Sequence, residues 1–210
     1  MHLPPPQNPH IYHITHIGNL ASICQEGRLW SDAERGKRSL GVTNIGYEHI
    51  KSRRLQRRVD KAAGGYLGDY VPFYFCNRSI MLYVISQGHE NYAGGQSDVV
   101  HLVSSVWTAV ATGRPWAFTN GHAEMAYTDY FDDLAALDQV DWKVMPMRQW
   151  GGNDQIKHRR QAEFLMHQWF PWEAVEAIGV RTVTKKAEVE QILAHCSHRP
   201  PVTCELQWYY

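Results

Sequence analysis

The 210-residue chain predicts an α+β fold in one domain, residues 1–210. Three observations predict it. Short runs rich in β-branched and aromatic residues recur along the chain, as strands require. Helical periodicities are scattered among them without regular strand–helix alternation, which argues against a doubly wound parallel sheet. Length and composition, 44% apolar and 20% charged, suit one globular core.

Residues 11–15, Ile-Tyr-His-Ile-Thr, read as the first strand, entered from a proline-rich lead. Residues 19–25 read as a helix with Leu20, Ile23 and Cys24 on one face, stopped by Gly27. Residues 29–44 are polar and loop-like. Residues 47–59 form a helix with a heavily basic side, and Gly64-Gly65 breaks the chain. An aromatic-rich strand follows at 69–76. Residues 81–86 fit a helical turn or a strand. Residues 99–103 are β-branched and extended, and 106–112 fit either state. Gly113-Arg114-Pro115 turns the chain into a strand at 116–119, which ends at an Asn120-Gly121 turn. Residues 122–154 are the least regular part, an excursion with some helix and a double glycine. The basic run from His158 to Arg160 is a turn into a strand at 162–167, with Glu163 near its start. A strand at 177–183, a helix at 186–194 with Val189, Ile192 and Leu193 inward, and a strand at 202–209 close the chain.

Lys+Arg and Asp+Glu are 21 each, so net charge argues neither for nor against a nucleic-acid partner. Eight Trp and eleven Tyr serve cores and also base-stacking surfaces. Cys24, Cys76, Cys196 and Cys204 lack metal-type spacing and read as free thiols in a reducing cytoplasm, with a Cys196–Cys204 bridge as the weaker alternative. No apolar run is long enough to span a membrane. The N-terminus does not read as a signal peptide. No GxGxxG, GxxxxGK[ST] or HExxH pattern occurs. His13 and His16 would face opposite sides of a strand, so no metal is expected.

Singly, the candidate residues have plain alternatives. The basic 47–58 segment is either a solvated helix face or a phosphate contact. Glu163 reads as an exposed strand-end carboxylate, His122 as a turn histidine, and Tyr74 and Met81 as core.

In order along the chain, five blocks change that reading: Ile11-Tyr12-His13-Ile14-Thr15-His16, Ile50-Lys51-Ser52-Arg53-Arg54, the run from Asp69 to Phe75 with Ser79-Ile80-Met81-Leu82-Tyr83, Phe118-Thr119-Asn120-Gly121-His122-Ala123, and Arg160-Gln161-Ala162-Glu163-Phe164-Leu165. The series resembles the DarT family of DNA ADP-ribosyltransferase toxins, from the DarT–DarG toxin–antitoxin pair, over about residues 9–209. The resemblance implies an ADP-ribosyltransferase fold like that of poly-ADP-ribose polymerases: two small facing β-sheets, surrounding helices and a central NAD cleft. It implies NAD⁺ as co-substrate, a thymidine base in single-stranded DNA as sequence-specific acceptor, a block to replication as outcome, and a DarG macrodomain antitoxin as partner.

It further implies roles. Glu163 would be the catalytic carboxylate, with Arg54 and His122 assisting the acceptor base. His13, Thr15, Asn19, Arg54, Tyr74 and Met81 would hold NAD⁺. His122, Arg148, Trp150, Lys157, His158, Arg159 and Arg160 would contact DNA, with Trp142 as a further stacking candidate. Arg53 and Arg54 are adjacent, and Arg54 is the one expected in the site. Alternatives are another acceptor (guanine in DNA, RNA or protein) and a non-catalytic nucleic-acid-binding module.

Overall fold

The computed structural model describes residues 3–88 and 91–210. Its strands are β1 (His10–His16), β2 (Arg28–Trp30), β3 (Tyr70–Tyr74), β4 (Val99–Ser105), β5 (Trp116–His122), β6 (Tyr130–Phe131), β7 (Ala162–His167), β8 (Trp169–Pro171), β9 (Ala177–Val180) and β10 (Val202–Cys204). Its helices are α1 (Leu20–Glu26), α2 (Asp32–Lys37), α3 (Glu48–Arg54), α4 (Ile80–Gln87), α5 (Val106–Ala111), α6 (Asp154–Arg160) and α7 (Val183–Leu193).

By hydrogen bonding, eight strands form one sheet in the order β10-β9-β4-β1-β3-β7-β5-β6, and β2 and β8 form a separate ribbon. The two expected facing sheets are therefore linked. The link is slight: β1 and β3 meet at one pair, Tyr12 and Tyr74. On either side the ladders are long. β1 pairs with β4 from His10–Ser105 to His16–Val99, and β3 pairs with β7 from Tyr70–His167 to Tyr74–Glu163. Two four-strand halves thus part where β1 and β3 separate.

Period-two alternation decides which side chains face the core. Val71, Phe73 and Phe75 of the β3 segment join Ala162, Phe164 and Met166 of β7 in the main apolar cluster. Phe73 packs edge-on against Phe170 at 4.7 Å, and Trp116 stacks on Phe164 at 5.5 Å. The alternate positions, Tyr74 and Glu163, face the opposite side as register partners.

Several sequence expectations need correction. Residues 29–44 are not one loop: they contain β2 and α2. Ser31 caps α2 by accepting from the Glu34 amide at 3.3 Å, a bond available from the Ser31-Asp32-Ala33-Glu34 pattern. The basic run before Glu163 is not a turn but the last turn of α6, capped by Asn153, which accepts from the Gln155 and Ile156 amides. The final strand stops at Cys204 because a 3₁₀ turn, Leu206–Trp208, follows. Residues 106–112 resolve as α5 behind a Ser105 cap, and 81–86 as α4 behind a Ser79 cap. Cys24 and Cys196 are not free thiols: they form a disulfide, Cα atoms 5.8 Å apart, joining α1 to the chain beyond α7. Cys76 and Cys204 remain free. Among the described residues no helix is long and apolar enough to cross a membrane.

Candidate active site

A cavity of about 230 Å³ opens where the two half-sheets part. Its floor is Glu163. β7 buries this carboxylate to 2% exposure, and burial of an ionised carboxylate demands a partner. Arg54, at the end of α3, supplies it with two parallel bonds, Nη1 to Oε1 at 3.1 Å and Nη2 to Oε2 at 3.0 Å. Burial alone would lower the Arg54 guanidinium pKa, but the charge and bonds of Glu163 outweigh it and push it up. Arg54 is thus a permanent cation. The neighbouring Arg53 faces outward and pairs with Glu124.

The backbone behind Glu163 is held by an irregularity in β5. Between Phe118 and His122 the β5–β7 register shifts. There Thr119 accepts from the Glu163 amide at 3.0 Å and donates to the Gly121 carbonyl at 2.7 Å. A bulge of this kind re-aims the strand end and brings His122 into the cavity lining. Burial lowers the His122 pKa, with Glu163 opposing and Arg54 assisting. His122 Nδ1 is buried without a partner.

β1 supplies the opposite wall. His13 Nδ1 lies 2.8 Å from the Pro72 carbonyl oxygen. A carbonyl only accepts, so Nδ1 carries the proton and Nε2 is left as an acceptor. Burial holds the His13 pKa down at about 4, so the ring is neutral at physiological pH. Asn19 donates to Thr15 Oγ1 and to the Thr43 carbonyl, each at 3.0 Å, and accepts from the Thr43 amide at 2.8 Å. It thereby fastens the 40–47 loop over β1. Tyr74 donates to Met81 Sδ at 3.6 Å. Burial, then Glu163, raises the Tyr74 pKa, so it stays a neutral phenol.

Sequence reasoning missed one group here. Asp32 lies 3.4 Å from Lys51 Nζ and 3.5 Å from Arg35 Nη1, and all three line the cavity. Burial alone would raise Asp32, but Lys51 and Arg35 hold its carboxyl below the usual range. Two cations on one carboxylate leave a net positive wall, with Arg35 Nε buried and unpartnered. Among the described residues no group of His, Cys, Asp and Glu is placed to hold a metal.

The profile of a family described as "ssDNA thymidine ADP-ribosyltransferase, DarT" matches residues 12–210. The chain belongs to the DarT family. A DNA ADP-ribosyl transferase of Thermus aquaticus is 42% identical over 95% of this chain and 88% of the relative. Two solved structures of Thermus sp. 2.9 DarT superpose on it. The one in complex with ADP-ribosylated ssDNA matches with TM-score 0.95 and 38% identity, covering 100% of both chains. The one in complex with NAD⁺ matches with TM-score 0.88 and 35% identity, covering 99% of this chain and 100% of that one.

Within this DarT-type site, eight of the residues named from sequence converge on one cavity: His13, Thr15, Asn19, Arg54, Tyr74, Met81, His122 and Glu163. Apart from His122, the residues named for DNA contact do not. Arg160 is a correction: it is fully buried and donates to the Val144, Met145 and Arg78 carbonyls, so it braces the 144–145 segment and cannot reach DNA. Trp150 is a second correction, 8% exposed and edge-on to Tyr83 at 5.0 Å. Trp142 is likewise core, edge-on to Phe75. Arg148 is exposed but lines a smaller depression with Arg78 and Gln207. Lys157 pairs with Asp154 at 3.6 Å and Arg159 with Asp141 at 3.0 Å. Burial lowers the pKa of His158, which makes it a poor cation for phosphate. Helical spacing explains the split: one turn of α6 presents Lys157 and Arg159 outward and Arg160 inward.

Proposed function

We propose that this DarT protein, acting as one catalytic domain, transfers ADP-ribose from NAD⁺ to a thymine base of single-stranded DNA and releases nicotinamide. The observation that carries the reading is the buried Arg54–Glu163 pair on the floor of a cavity that runs from His13 to His122. The described Thermus relatives, in complex with NAD⁺ and with ADP-ribosylated ssDNA, support the same reading.

The His13 Nε2 lone pair accepts from a ribose hydroxyl, and Tyr74 and Met81 flank the nicotinamide. Lys51 and Arg35 lend positive charge to the pyrophosphate. Cleavage develops positive charge on the nicotinamide ribose, as in glycoside hydrolysis, and Glu163 faces that charge from a dry, fixed position. The C1″–nicotinamide bond breaks, the thymine N3–C1″ bond forms, and the N3 proton leaves. Arg54 stays charged and cannot take it. It steadies Glu163 and the developing imide anion, while His122, kept neutral by burial, accepts the proton. The acceptor base must be unstacked to reach the cavity, so single-stranded DNA suits the site.

The protein acts in the cytoplasm as a toxin that blocks replication, countered by a DarG macrodomain antitoxin that removes the mark. Mass spectrometry of mixed-sequence single-stranded oligonucleotides after incubation with NAD⁺ tests the chemistry. One ADP-ribose on a thymine base is expected. Nicotinamide release with unmodified DNA would redirect the acceptor to RNA, protein or water.

A further inference from the structure

The segment between β5 and β6 is closely tied by hydrogen bonds, yet presents an aromatic ring to solvent. Met125 and Thr128 amides donate to the His122 and Met125 carbonyls at 3.0 and 3.2 Å. The Thr128 hydroxyl donates to the His122 carbonyl at 2.7 Å. Asn120 and Asp129 exchange two bonds at 3.0 and 3.1 Å, and Tyr130 donates to the Ala123 carbonyl. From α3 and the turn after it, Arg53 pairs with Glu124, and Arg57 donates to the Met125 carbonyl at 3.1 Å. A segment so bonded needs no aromatic tip for its own stability, but Tyr127 stands 65% exposed beside Met125.

Its position is specific. The Tyr127 ring leans on His158, centroids 4.6 Å apart and planes at 50°. The Nε2 edge of His158 sits against Gly121, where a Cβ would collide with the imidazole. The next residue, His122, lines the cavity with Glu163. Glu163, His122, His158 and Tyr127 therefore lead from the buried carboxylate to solvent, with Arg53 and Arg57 alongside. An exposed ring on a segment held by two arginines suits a stacking platform for single-stranded nucleic acid.

We propose that Tyr127 stacks on the nucleobase adjacent to the acceptor thymine, with His158 positioning its ring, so that this segment shares in sequence choice. The inference rests on the proposed reaction. Tyr127 lies within the long 122–157 segment to which the family resemblance assigns acceptor choice, and the inference singles out this residue.

The test measures oligonucleotides that contain one thymine, with a base or an abasic residue on each side of it. Tyr127→Ala should raise the DNA KM roughly tenfold, within the range that base–aromatic stacking allows, leaving the NAD⁺ KM and DNA-independent nicotinamide release unchanged. Tyr127→Phe should behave as wild type, because the ring and not the hydroxyl is used. An abasic residue at the stacked position should cost the wild type the same factor and cost Tyr127→Ala nothing further. A Tyr127→Ala protein with wild-type DNA KM on every oligonucleotide would overturn the inference while leaving the reaction intact. If the wild type modifies no oligonucleotide at all, the reaction falls and the inference with it.

Discussion

The two walls of the cavity are built differently. The wall from β1, α1, α2 and α3 is tied down by buried polar contacts. His13 is fastened to Pro72, Asn19 to Thr15 and Thr43, and Asp32 to Lys51 and Arg35. The wall from β5 to α6 has a bulged strand, two histidines with unpartnered buried Nδ1 atoms, an exposed Tyr127, and cations aimed at solvent. The contrast suits a site that holds one invariant molecule on one side and a variable strand on the other. Fixed contacts lower the entropy lost on binding, whereas sequence-dependent recognition uses exposed rings and hydrogen-bonding edges.

Substitutions can sharpen or break that contrast, the largest effect first. Glu163 serves both walls. Glu163→Gln should lower kcat by about 10³-fold, of the order seen when a pre-organised charge-stabilising group is lost, with nicotinamide release and DNA modification falling together. Preserved nicotinamide release would detach Glu163 from the cleavage step.

Arg54→Ala should cost activity and also about 3–5 kcal/mol of stability, because it leaves the Glu163 charge buried and unpaired. Denaturant unfolding measures this, and a loss no larger than that of Glu163→Gln would contradict it.

The next effect is in pH. His101, fully buried on β4 between Asn77 and Tyr209, is held down at about 4 by burial, against about 6.5 unfolded. Between these values the unfolded chain binds the extra proton, so stability rises with pH. The contribution is complete above about 6.5 and is lost as pH falls toward 4, by a few kcal/mol. Melting temperature should fall over that window, and His101→Gln should flatten the slope. An unchanged slope would move the cause to another group.

The smallest effects separate the walls. Asn19→Ala should loosen the 40–47 loop and raise the NAD⁺ KM about tenfold, worth about 1.4 kcal/mol, leaving the DNA KM unchanged. Lys157→Ala with Arg159→Ala should do the reverse, raising the DNA KM only two- to threefold, because exposed ion pairs already engage both side chains. Crossed results would dissolve the contrast.

Much of this was legible in the residues. The alternation in 70–74 and 162–167 places Tyr74 and Glu163 on one face, and the strand at 162–167 was read at its observed bounds. Ser31-Asp32-Ala33-Glu34 and the Asn153 cap carried signals for α2 and α6, but the polar character of both segments masked them. Composition could not reveal that Arg160 is buried under three carbonyls while its neighbour Arg159 faces outward. A one-residue step on a helix turns a side chain by about 100°, and what lies there is a matter of packing.

The sequence by itself determined most of the long strands and helices, the α+β class and the residue types the chemistry needs, because these follow from local periodicity and from side-chain chemistry. Only the tertiary structure decided their pairing. Arg54 reaches Glu163 across 109 positions, and Cys24 reaches Cys196 across 172. Tyr127 leans on His158 through an approach that Gly121 alone permits. Contacts between distant segments depend on how the two half-sheets pack, and no local pattern encodes that distance.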